Sequence, residues 1–191
     1  MFKCIVLVAV ITTVAYAEVS REQLDQCYEG IANQNIKLWG DFADVSQHVR
    51  ALRDGMNMYY QNKAIPEIVQ YQIQNQGKYL SSDQIAKANK CIDSLSVIFG
   101  SSKEALSMMQ KLFESALNFI IADQAKVDQQ IADDRKQNKP ETDMKLNTCH
   151  LVSTLITPEK KKEIIAKFKN DVPADKYDAV FKEVSVLINL N

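Results

Sequence analysis

Five glycines and four prolines are all that interrupt 191 residues in which apolar side chains return every three or four positions. That spacing lays apolar groups along one face of a helix, whereas a half-buried strand needs alternation by twos. The pattern predicts an all-α fold. We expect a single-domain bundle of seven or eight helices around a central apolar helix over about 102–121.

Helix starts are marked by residues whose side chains can satisfy the first free N–H groups. Ser20 with Gln23, Ser81 with Gln84 and Ser101 with Glu104 have capping-box spacing. Asp41 or Asp44 can cap a helix carrying Val45, Val49, Leu52, Met56 and Tyr59, although Gly55 weakens its end. Pro66 suits the first turn of a short third helix and Gly77 its C-terminal cap. Helix four then runs to Gly100. From Ala105 through Leu106, Met108, Met109, Leu112 and Phe113 to Ile121 the chain is apolar on nearly every side, so this helix should be surrounded by the others. The continuation over 122–139 has few apolar residues beyond Val127 and Ile131, which predicts an exposed helical arm. A helix with Met144, Cys149 and Val152 follows, then one begun by Thr157-Pro158, and a last one begins near Ala174.

The N-terminus sets the expected compartment. Lys3 is followed by an apolar run, Cys4 to Val14, too short for a membrane span, and Ala15-Tyr16-Ala17 offers the small residues that signal peptidase reads. We expect a signal peptide over 1–17 and a secreted, extracellular helical domain over 18–191. No later stretch is long and apolar enough to span a membrane. Losing Lys3 from 23 basic residues, against 24 acidic ones, leaves a small negative excess. That argues against general attraction to nucleic acid or anionic lipid.

Cleavage removes Cys4 and leaves Cys27, Cys91 and Cys149 where thiols oxidise. Of the three possible bridges, Cys91 with Cys149 is favoured. Its loop of about 58 residues would contribute roughly 4 kcal/mol through chain entropy. The odd thiol would then be buried, reactive or shared in a disulfide-linked dimer. No Asn-x-Ser/Thr acceptor occurs, so no N-linked glycan is expected.

Chemistry-bearing motifs are missing. His48 and His150 are the only histidines, and neither has the spacing of a zinc site. Cys149 and His150 are adjacent, about 100° apart on a helix, which is wrong for a nucleophile and its base. Neither a nucleophile elbow nor a glycine-rich phosphate loop is present. Asp133-Asp134 and Lys160-Lys161-Lys162 read as solvated faces, the lysines balanced by Glu159 and Glu163. No catalytic residue, metal or cofactor is therefore expected, and the protein should not be an enzyme.

What remains is binding. Met56, Tyr59, Tyr60, Met108, Met109 and Phe113 supply soft and aromatic side chains of the kind that line adaptable apolar pockets. They point to a carrier or scavenger of a small hydrophobic ligand, such as a fatty acid. The alternative is a secreted interaction protein, of the salivary, venom or haemolymph kind. It would act on a host or self protein through the 122–139 arm or the Lys160 cluster.

Overall fold

A computed structural model describes residues 20–190, with the side chains of 109–122 outside that description. The expected signal peptide, 1–17, lies outside the described residues. The described residues are all-helical, with eight α-helices, one short 3-10 turn and no strand.

The N-terminal caps form where the sequence placed them. Ser20 and Gln23 close both bonds of a capping box at the start of α1 (Arg21–Trp39), as do Asp44 and Gln47 for α2 (Val45–Tyr60) and Ser81 and Gln84 for α4 (Ser82–Phe99). Pro66 sits in the first turn of α3 (Ile65–Gln74). Ser101 accepts from the Glu104 amide to open α5 (Ser102–Lys136). After α6 (Glu141–Leu155), Thr157 caps α7 (Pro158–Asp171), and α8 (Tyr177–Val184) closes the order.

Two expected boundaries shift. The third helix ends before Gly77, because Asn75 returns both its backbone and side-chain N–H to the Tyr71 carbonyl. Gly77 instead lies in the 3-10 turn Gln76–Lys78. The last helix starts three residues after Ala174, once a turn from Pro173 to Lys176 has closed.

Two glycines carry structural weight. Gly40, at φ 95°, ends α1 in a conformation that side chains disfavour. A Cβ there would lie 3.4 Å from the Asn189 amide, which donates to the Trp39 carbonyl and pins the C-terminal tail across α1. Gly55 stays inside α2, where a Cβ would lie 3.3 Å from Gln72 Nε2 and 3.6 Å from Ile68 Cγ2, so its bareness lets α3 pack close.

Two separate apolar cores result. The larger joins Leu95 and Phe99 of α4, Ala105 and Met108 of α5, Phe168 of α7, and Val180 and Val184 of α8. The smaller is built on Tyr28 and Ile31 of α1 and Cys149 of α6, with Leu52 and Met56 of α2 against it. The long helix α5 packs on α3, α4, α6 and α7. Leu106 is an exception to its apolar face and is exposed.

The disulfide differs from expectation. Cys27 and Cys149 are bonded, with Cα atoms 6.3 Å apart, and Cys91 with Cys149 is not the pair. The reason is the division into two cores. Cys149 faces α1, whereas Cys91 faces α8 in the other core, its thiol donating to the Glu183 carbonyl at 3.5 Å. The observed bridge spans 122 residues, worth about 5 kcal/mol by chain entropy. Among the described residues Cys91 is the free thiol and is buried, so a dimer disulfide through it has no accessible sulfur.

The 122–139 segment is also corrected: it is no free arm. Val127, Ile131 and Asp134 are buried and α5 lies along α6 over this stretch. The fully buried carboxylate of Asp134 accepts from Gln130, Lys139 and Asn147, so the solvated reading holds for Asp133 and fails for Asp134. No described helix is long and apolar enough to cross a membrane.

Candidate functional site: an apolar cavity between two cores

Among the described residues the two cores share no member. Between them lies a cavity of about 810 Å³. From the smaller core's side its wall is Leu52 and Met56 of α2 with Val152 of α6 and Ile156 just past its end. From the larger core's side it is Ile165 and Phe168 of α7 with Val184, Leu187 and Leu190. Ile65, Ile68 and Val69 of α3 form a further wall, held to α2 by the Gln72 amide donating to the Ala51 carbonyl at 2.9 Å. Leu38 and Trp39 complete the lining from α1.

Few polar groups reach this space, and most of them are already engaged. The Tyr59 hydroxyl donates to Asp128, and burial together with that bond pushes its pKa well above the usual tyrosine value. Burial lowers the pKa of His48, which therefore lines the cavity as a neutral imidazole at pH 7. Asp123 receives Lys160 Nζ at 2.9 Å and Lys126 Nζ at 3.0 Å. Those two contacts hold its carboxyl below the ordinary carboxylate range.

The expected binding residues divide. Met56 and Tyr59 line the cavity. Tyr60, one position on, turns away, and its hydroxyl shares a 2.8 Å hydrogen bond with Thr148 Oγ1. Met108 packs in the larger core. The side chains of Met109 and Phe113 lie outside the described residues. Sequence reasoning did not single out Trp39, Leu187, Ile188, Leu190 or the apolar face of α7 as a binding wall.

The lysine cluster is likewise corrected. Lys162 is exposed, but Lys160 and Lys161 both line the cavity. Lys161 is only 8% exposed, its Nζ 5.6 Å from the centre of the Trp39 ring. Their apolar stems are drawn in with the inner face of α7. Each surface named for a protein partner thus keeps an exposed face, with Lys126, Gln129 and Lys136 on one and Lys162 on the other, beside residues buried in the fold.

No family model, curated protein or solved structure matches this chain.

Its chemistry must therefore be read from its own residues. Cys149 is committed to the disulfide with Cys27 and offers no thiol nucleophile. Among the described residues no three His, Cys, Asp or Glu side chains are grouped to hold a metal ion. The arrangement can solvate an apolar molecule and offer it a few polar groups.

Proposed function

We propose that this is a secreted, non-enzymatic carrier or scavenger of a small hydrophobic ligand, held between the two cores. The observation that carries the reading is the cavity of about 810 Å³ with apolar walls from both cores. That volume falls within the range of about 300–1,000 Å³ common for small-molecule sites. The pocket is partly open to solvent and its walls are predominantly apolar, so an apolar molecule entering it would lose contact with water. An apolar occupant suits the space best.

Trp39 is the chain's single tryptophan and lines the cavity, so it reports occupancy directly. Titration with the neutral fluorophore Nile red should transfer excitation from Trp39 and saturate at one equivalent. The double variant Ala51→Phe, Val152→Phe narrows the space from α2 and α6 and should abolish saturable transfer while its helical circular dichroism is retained. Unchanged binding in that variant, or no saturable binding by the parent protein, refutes the carrier reading.

A further inference from the structure

We propose that the ligand is an uncharged molecule, a long apolar body ending in a neutral oxygen, and that this oxygen hydrogen-bonds to His48 and Asn35 where α1 turns into α2. This rests on the carrier reading and adds the charge, polarity and orientation of what the cavity holds.

The charged side chains of the described wall are Asp123, Lys160 and Lys161, and all three are engaged within the protein. Asp123 takes Lys160 at 2.9 Å and, from outside the wall, Lys126 at 3.0 Å. Lys161 Nζ stands 5.6 Å from the centre of the Trp39 ring. Several neutral polar groups of the wall are committed too. The Gln72 amide donates to the Ala51 carbonyl, Thr148 Oγ1 shares its bond with Tyr60, and the Tyr59 hydroxyl donates to Asp128. An ionic head entering this space must displace one of these partners or stand unpaired against apolar walls, and either loss exceeds what one new contact returns. A neutral molecule disturbs none of them.

His48 and Asn35 are the contrast. Both line the cavity and are half-buried, and among the described residues neither side chain hydrogen-bonds to another. The fold brings them to one region: α1 and α2 pack on each other and are joined by the short turn 40–44, with Asn35 in the closing turns of α1 and His48 in the opening turn of α2. His48 also shares a face of α2 with Leu52, Met56 and Tyr59, all of which line the cavity, so it heads an apolar row. Burial keeps its imidazole neutral at pH 7. It then offers one donor and one acceptor, as the Asn35 carboxamide does, and a hydroxyl is matched in both directions by such a pair. The row beyond His48 gives the rest of the ligand its apolar track.

The test uses three ligands with one tail and heads that are neutral, anionic and cationic. Dodecan-1-ol, dodecanoate and dodecylammonium compete with Nile red on the full chain at pH 7.4. The alcohol should displace the dye at about tenfold lower concentration than either ion. His48→Leu should raise the alcohol's midpoint about fivefold and leave those of the ions in place. His48→Gln, which keeps a donor and an acceptor, should restore the alcohol's midpoint, and His150→Leu, at an exposed histidine outside the cavity wall, should not move it. If either ion matches or exceeds the alcohol on the parent protein, the head is charged or lies out in solvent, and the inference falls while the carrier reading stands. An alcohol midpoint unmoved by His48→Leu overturns the placement at His48. No saturable dye binding by the parent protein removes the carrier reading itself. Should His48→Leu lose its helical circular dichroism, Asn35→Leu reads the same contact from α1.

Discussion

Asp134 accepts hydrogen bonds from Gln130 at 3.0 Å, Lys139 at 2.8 Å and Asn147 at 2.9 Å with none of its surface exposed, while Asp133 beside it is half-exposed and meets only the exposed side chains of Gln129 and Lys136. Burial alone would raise the Asp134 carboxyl, but the three donors outweigh it and hold its pKa below the ordinary value. Removing the acceptor strands those donors. Asp134→Ala should therefore lose about 3 kcal/mol in urea unfolding, whereas Asp133→Ala should leave the midpoint where it is. The pH dependence has a definite sign. A carboxyl depressed in the folded state contributes fully above its unfolded pKa of about 3.9, and that contribution is lost as pH falls through the folded value. Asp134→Asn should accordingly show a shallower loss of stability on acidification than the parent protein.

At the scale of elements, the bridge between α1 and α6 closes most of the chain into one loop. Cys27→Ser should lower unfolding stability by about 3–5 kcal/mol. Cys91→Ser should leave the bridge intact. Its thiol, buried and with its pKa raised chiefly by that burial, should resist iodoacetamide until the protein is unfolded. Rapid alkylation of native protein would mean that the α4–α8 contact is looser than described. The caps at Ser20, Asp44, Ser81 and Thr157 were readable because an N-cap and its N3 partner are three residues apart. The cysteine pairing was not, since three thiols distant in sequence carry no local sign of which helices will adjoin. The 122–139 segment misled for a related reason. Three buried side chains suffice to dock it on α6, and one is an aspartate, which reads as surface until its partners are known.

Taken whole, the described residues form two apolar clusters, and a ligand-sized pocket is lined from both. An occupant binding only the folded state should raise its stability by about 2.7 kcal/mol at a hundredfold excess over its dissociation constant. With dodecan-1-ol this should appear as a concentration-dependent rise in Tm; a Tm indifferent to it would count against any occupant of that chemistry. The all-helical class and most of the helix starts follow from the sequence, because periodicity, caps and scarce glycine act within one helix turn of each residue. Whether Met56 and Tyr59 line a space or fill a core, and whether Lys160 and Lys161 face water or cavity, depended on tertiary structure alone. A helix's apolar face looks the same in sequence whether its neighbour touches it or stands several ångströms away.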